Sequence, residues 1–222
     1  MNQDVLHTIY LASAFLTLFG IAEILYHFLK IQAEYTRKIV HIGTGLLSML
    51  FPLLLSGHWW VLLLCSSFAV ILILSLKFNL LKSINAIDRE SVGSLCYPVS
   101  VYLCFLAFAN YKDLSVYYLP ILILAFCDPI AALTGKKWPL GKFSFGKNTK
   151  SLMGTSMFVL SAIFIIIIVH ILQNNLDFSF KFIFETLIIA SVAGFTEALS
   201  GKGYDNLTIP VSVLLCLITF QA

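Results

Sequence analysis

The residues best suited to chemistry fall in one polar stretch, Asp128 to Thr155, which opens Asp-Pro-Ile-Ala-Ala-Leu-Thr-Gly. Lys136, Lys137, Lys142, Lys147 and Lys150 follow, interleaved with Gly135, Gly141, Gly146 and Gly154. Glycine lets backbone N–H groups approach phosphate oxygens, lysine neutralises them, and a carboxylate can hold Mg²⁺, a hard ion that keeps oxygen ligands and several waters. The mixture suits a polyphosphate and its metal ion. A topology signal or an anionic-lipid contact beside a membrane span is the plainer alternative for such a basic loop.

Two further clusters, and the head of this stretch itself, share this character. Arg37, Lys38 and His41 are spaced three and four apart, so one helix face carries two fixed cations and an imidazole that donates to phosphate or moves a proton near neutral pH. Asp128 precedes Pro129, which removes a helical N–H and frees a carbonyl; an acid beside such a break is a natural metal ligand. Glu197 leads into Ser200-Gly201-Lys202-Gly203-Tyr204-Asp205-Asn206, a second acidic, glycine-containing turn. Ser151 is placed to cap the helix that follows the lysine stretch, aiming its first N–H groups back at whatever Lys147 and Lys150 hold. Other polar groups have simpler readings: Glu23 with His27 and Lys181 with Glu185 are i, i+4 pairs, and Asp88-Arg89-Glu90-Ser91 reads as a solvated cluster.

The elements that must position these residues are apolar. Of 222 residues 59% are hydrophobic and 11% charged, against about 25% charged in a soluble domain, so the chain reads as an all-α, polytopic membrane bundle forming one domain over 1–222. Runs long enough to cross the bilayer fall near 5–29, 39–55, 59–76, 92–109, 116–133, 152–172, 180–199 and 207–220. That predicts eight spans, or seven if the acid-bearing seventh is excluded; the second, fifth and eighth are short. Twelve of the fourteen basic residues lie in odd-numbered connections and only Lys112 and Lys181 in the others. The positive-inside rule then places those connections, including the loop at 135–151, in the cytosol and both termini outside. The first span lacks a basic leader and is too long for a secretory signal, so it is expected to remain. His58-Trp59-Trp60, Tyr111, Tyr117 and Tyr118 read as an interfacial aromatic belt. The five cysteines show no Cys-x-x-Cys spacing and read as small buried hydrophobes.

The order Arg37-Lys38…His41, Tyr97-Pro98, Asp128-x-x-Ala131-x-x-x-Gly135, Lys150-Ser151-Leu152-x-Gly154, Glu197 and Asp205-Asn206-Leu207-Thr208-x-Pro210 resembles the polyprenol kinase family, which includes dolichol kinase, phytol kinase and the CTP-dependent diacylglycerol kinase of yeast type. The resemblance implies an integral membrane kinase that moves the γ-phosphate of a nucleoside triphosphate, commonly CTP, to a lipid alcohol with Mg²⁺. Two positions depart from the pattern: Cys127 stands where glycine usually precedes the aspartate, and Met153 where an acid usually precedes Gly154. If that acid binds metal, its loss shifts the burden to Asp128, Glu197 and Asp205.

The expected site therefore has Asp128, Glu197 and Asp205 on the metal, with Arg37, Lys38, Lys142, Lys147, Lys150, Ser151, Gly154 and Asn206 around the nucleotide. Asp205 is favoured over His41 as the group that orients the attacking hydroxyl. The middle motif is also similar to that of phosphatidate cytidylyltransferases, which keeps attack at the α-phosphorus as an alternative. A small transporter is the third reading, weakened by the lack of an internal repeat and by charges gathered at one interface rather than the midplane. Lipid, nucleotide and membrane are the expected partners, with no nucleic acid.

Overall fold

The computed structural model describes residues 3–86, 92–145, 148–173 and 178–221. Its helices are α1 (Gln3–His27), α2 (Ala33–Ser48), α3 (Phe51–Leu54), α4 (His58–Lys77), α5 (Lys82–Asn85), α6 (Gly93–Tyr111), α7 (Leu114–Leu122), α8 (Asp128–Lys137), α9 (Leu152–Leu172), α10 (Phe180–Leu199) and α11 (Asp205–Gln221). A π-helical segment, Ile123–Cys127, joins α7 to α8 without a break. Strands β1 (Lys142–Phe145) and β2 (Asn148–Ser151) form an antiparallel hairpin in register Lys142 to Ser151.

Among the described residues six helices are long and apolar enough to cross a membrane: α1, α4, α6, the fused helix Leu114–Lys137, α9 and α10. The protein is thus a polytopic helical membrane protein. The fifth span is longer than its sequence suggests, because the helix continues past Gly135 instead of ending near Leu133. The second and eighth are short as expected; the 17 residues of α11 rise about 26 Å, just under the ~30 Å hydrocarbon core. Leu160, Phe164, Phe195 and Leu215 are each more than half exposed, an outward apolar surface that lipid would cover. Facing inward, Phe158, Ile121, Ile209 and Val213 pack at the centre of the bundle.

Where helices begin, polar side chains satisfy the open N–H groups: Asp113 accepts from Ser115 N at 2.8 Å and Ser179 from Phe182 N at 3.3 Å. Hydrogen bonds between connections separate the two ends of the bundle. At one end Glu23 Oε1 accepts from Ser83 N (2.9 Å), Thr36 Oγ1 donates to Ser83 O (2.6 Å) and Val92 N donates to Lys202 O (2.9 Å). Glu23 also meets His27 at 3.0 Å, so that pair is structural. At the other end Asp4 accepts from Ser56 N at 3.0 Å and Asp113 from the Gln221 amide, which puts both chain ends on that side. Lys181 and Glu185 pair there at 3.6 Å.

The aromatic belt needs one correction. Trp59 and Tyr111 are exposed, but Tyr117 is fully buried, its hydroxyl donating to Ser48 O at 2.8 Å and its ring edge-on to Phe105. It belongs to the core because Ser48, at the end of α2, offers an otherwise open helix carbonyl. All five cysteines are free, with Cys65, Cys104 and Cys127 buried.

Candidate active site

At the end of the bundle defined by Glu23, Thr36 and Ser83, α2 enters with Glu34, Arg37, Lys38 and His41 along one face. Lys38 pairs with Glu34 at 3.5 Å one turn earlier. His41 Nε2 lies 3.0 Å from Leu124 O in the π-helical segment. A carbonyl only accepts, so Nε2 carries the proton in this bond. Pro129, lacking an N–H, cannot supply a donor to the turn before it, and the imidazole donates there instead. Tyr97 holds the ring from the side, edge-on at 4.9 Å, while its hydroxyl donates to His41 O at 3.2 Å.

Asp128 follows the π-helical segment on α8, and the position of α8 is set by a close helix crossing. A Cβ on Gly154 would sit 2.9 Å from Ala131 O, and one on Gly135 would sit 2.8 Å from Ser151 Oγ and 3.3 Å from Gly154 Cα. Only the smallest residues allow α8 and α9 to approach so closely. Ser151 Oγ, buried between them, caps α9 by accepting from Gly154 N at 3.1 Å. From β2, Lys150 reaches the buried carboxylate of Glu197 on α10 and donates to Oε1, and Thr155 Oγ1 donates to Oε2 at 3.3 Å. Burial alone would push the Lys150 ammonium below its ordinary pKa, but the charge and hydrogen bond of Glu197 outweigh it and the net shift is upward. The lysine is charged at neutral pH.

A tight turn precedes α11: Lys202 and Gly203 both adopt positive φ (53° and 87°), and Asp205 opens the helix. Asn206 locks the turn in place. Its Nδ2 donates to Gly93 O at 2.7 Å, and its carbonyl accepts from Ser100 Oγ at 2.5 Å, tying α11 to the start of α6. A Cβ on Gly93 would meet Asn206 Nδ2 at 2.8 Å and an Arg37 guanidinium nitrogen at 3.0 Å, so this glycine keeps room for both side chains.

These elements enclose a polar cleft lined by Arg37, Lys38, His41, Asp128, Lys150 and Asp205, with Glu34, Pro129, Ala132, Gly203 and Asn206 completing it. Three cations and three carboxylates, drawn from four separate elements, face one space, and one of the carboxylates, Glu34, is already paired with Lys38. On its membrane side lies a second, apolar cavity between α1, α2, α4 and α6. Phe15, Phe19, Phe51, Leu64, Phe68 and Leu72 are among the apolar side chains of its wall. The hydroxyls of Tyr97 and Ser48, also on that wall, already donate to backbone carbonyls. Arg37, His41 and Asn206 line both spaces.

The chain is 33% identical over 211 residues to the phytol kinase of Synechocystis sp. (strain ATCC 27184 / PCC 6803 / Kazusa), an alignment covering 93% of this chain and 86% of that protein. The chain belongs to the polyprenol and phytol kinase family. No family model and no solved structure matches it.

In this family member, Arg37, Lys38, His41, Asp128, Lys150, Asp205 and Asn206 come together as the sequence motifs suggest. Other expected site residues take different places. Glu197 does not line the cleft: both its oxygens are occupied, by Lys150 and Thr155, so it anchors the lysine. Among the described residues no three of the His, Cys, Asp and Glu side chains converge to enclose a metal ion. The three-carboxylate set of Asp128, Glu197 and Asp205 is therefore not formed; Asp128 and Asp205 line the cleft with Glu34, which is paired to Lys38. Ser151 and Gly154 are engaged in the cap and helix crossing. Lys142 is exposed at the start of β1 and lies outside the cleft wall, as does Met153, one of the two family departures. Lys147, Gly146 and the cluster 88–91 fall outside the described residues. Thr155, Ser100, Gly93 and Glu34 were not foreseen. Each is a small or paired residue whose role depends on a contact distant in sequence, apart from Glu34, whose i, i+4 spacing to Lys38 was there to be read.

Proposed function

We propose that the protein is a lipid-alcohol kinase that transfers the γ-phosphate of a nucleoside triphosphate, with CTP as the donor, to an alcohol whose chain lies in the apolar cavity. The observation that carries this reading is the junction: an apolar cavity and a cationic cleft meet at Arg37, His41 and Asn206. A hydroxyl at the head of a lipid chain reaches that junction from the membrane, and a triphosphate reaches it from the polar side.

The residues divide the work accordingly. Lys150, fixed by Glu197, and Arg37 and Lys38 on α2 bind the phosphate oxygens and cancel charge on the transferring group and the leaving diphosphate. Asp128 fits a Mg²⁺ ion, which takes one or two carboxylates and completes its shell with phosphate oxygens and waters, so the absence of Glu197 from the cleft wall is no obstacle. Bound there, Mg²⁺ would withdraw charge from the β- and γ-phosphates. Asp205, beside Asn206 at the junction, accepts the hydroxyl proton as the lipid oxygen bonds to the γ-phosphorus and the bond from that phosphorus to the bridging oxygen breaks. The products are a lipid phosphate and a nucleoside diphosphate. His41 is held by Leu124 and Tyr97, and in this reading it orients the junction while Asp205 takes that proton. Holding both reactants in line supplies most of the catalysis in phosphoryl transfer.

The test gives purified protein in lipid bilayers a panel of alcohols, and phosphatidate, with CTP or ATP labelled at the γ- or the α-phosphorus. Label from γ-CTP is expected in the lipid, while α-label stays in the diphosphate. Transfer of the α-label with release of pyrophosphate would make the protein a cytidylyltransferase, and transfer from ATP alone would overturn the choice of donor.

A further inference from the structure

The apolar cavity has a floor, and its depth is set by side chains on three helices. From His41 at the junction to Phe51 on α3 the chain advances ten residues and keeps a helical backbone through Met49 and Leu50, a rise of about 15 Å. On α4 the cavity wall runs from Leu72 to Leu64, about 12 Å. The two rises agree. They place the floor about half a hydrocarbon core, roughly one leaflet, from the junction.

The floor is aromatic and closely packed. Phe15 lies 4.9 Å from Phe68 and 6.0 Å from Phe51, centroid to centroid, and Phe19 meets Phe68 edge-on at 5.8 Å. All four rings are at least nine-tenths buried. One turn beyond Phe15, Leu11 is buried without lining the cavity, and Val61 is likewise buried beyond Leu64. The rings end the cavity instead of leaving it open to the far side of the bundle.

Resting on the lipid-alcohol reading above, we infer that Phe15, Phe51 and Phe68 form a length gauge that sets how long a chain the protein accepts. A chain that fits places its hydroxyl between Arg37, His41 and Asn206 while its tail touches the rings. A longer chain must fold back or hold its hydroxyl out of line, and a shorter one leaves apolar surface without contacts. The rings are thus specificity-determining residues about 15 Å from the chemistry.

Two readouts separate the gauge from the reaction. Native mass spectrometry of the membrane-extracted protein measures retention of farnesol, phytol and a homologue one isoprene unit longer than phytol, whether or not transfer occurs; γ-label transfer measures relative kcat/KM for the same alcohols. Phe51→Ala and Phe15→Ala should raise retention of the longest alcohol relative to farnesol, and its relative kcat/KM, by about tenfold, since an added isoprene unit gains or loses at least one methylene's worth of pocket fit. Leu64→Phe, which fills the cavity instead of emptying it, should move the preference the opposite way and serves if the alanine variants do not fold. Unchanged length preference in a folded variant overturns the gauge. Retention that shifts as expected while no alcohol receives γ-label supports the gauge and overturns the kinase reading.

Discussion

Lys150 reaches the cleft from the edge of a two-stranded hairpin, where a long flexible side chain would range widely unless something buried held it, and the carboxylate of Glu197 does so. Removing only the lysine strands that carboxylate. Lys150→Met should destabilise the protein by about 3 kcal/mol, whereas Lys150→Met with Glu197→Gln should recover most of the loss, since a neutral amide tolerates burial far better than an unpaired charge. Thermal unfolding of the wild type, the two single variants and the double variant in detergent gives the coupling directly; a loss in the double variant equal to the sum of the two single losses would show that the pair is not coupled. The pH dependence follows from the same pair. Lys150 is held above its ordinary pKa, so its contribution is complete below the unfolded-state value and is lost only as pH rises through the folded one. The lysine end of the pair therefore adds no pH dependence to stability below about pH 10. Asp128→Asn removes charge from a cleft-lining oxygen without changing shape. Turnover should fall at least about 100-fold while stability is little changed, because even outer partners of a metal ligand cost ten- to a hundredfold. Near-normal turnover in that variant would remove Asp128 from the metal site. Asp205→Asn should lower kcat more than His41→Gln does, and the reverse order would exchange their roles.

At the scale of elements, the crossing of α8 on α9 decides where Asp128 stands relative to Lys150. The two glycines at the crossing are not equivalent. A Cβ on Gly154 meets the carbonyl oxygen of Ala131, which is backbone and cannot swing aside, whereas a Cβ on Gly135 first meets the hydroxyl of Ser151. Gly154→Ala should cost about 1 to 3 kcal/mol by forcing the helices apart, and Gly135→Ala about 1 kcal/mol through the lost cap. Activity in Gly154→Ala should fall further than its stability does, as measured by turnover at a temperature where circular dichroism shows the variant folded. Much of this was legible in the chain. Apolar runs marked the helices because lipid demands long uninterrupted stretches, and Ser151 read as a cap because its type and place satisfy open N–H groups. The hairpin at Lys142–Ser151 was not, since two four-residue strands rich in lysine and serine carry little periodic signal. The π-helical segment announced itself only through Asp128-Pro129; its hydrogen bond to His41 joins residues 83 positions apart. Glu197, expected on a metal ion, instead meets Lys150 and Thr155, because sequence shows an acid near the interface and not which cation reaches it.

For the whole molecule, the placement of two unlike spaces at one end of the bundle ties activity to orientation. Connections carrying Lys30, Lys77, Lys82, the lysine hairpin and Lys202 gather at the cleft end, while Lys112 and Lys181 lie towards the end that holds both chain termini. Positive residues retained on the cytosolic side favour one orientation. The proposed kinase function favours the same one, since its cleft would open where nucleoside triphosphates are abundant. We therefore expect the Lys142 turn to face the cytosol and the Ser56 turn to face outside. In a variant with its five native cysteines replaced, a single cysteine at Ser56 or Lys112 should react with a membrane-impermeant maleimide on intact cells. One at Lys142 should react only after permeabilisation. Because Lys142 is exposed and lies outside the cleft wall, its substitution leaves the machinery intact, so γ-label transfer by the same variants can confirm that the labelled protein is the active form. Labelling at Lys142 in intact cells would invert the protein in the membrane and require its nucleotide to be supplied from the other side.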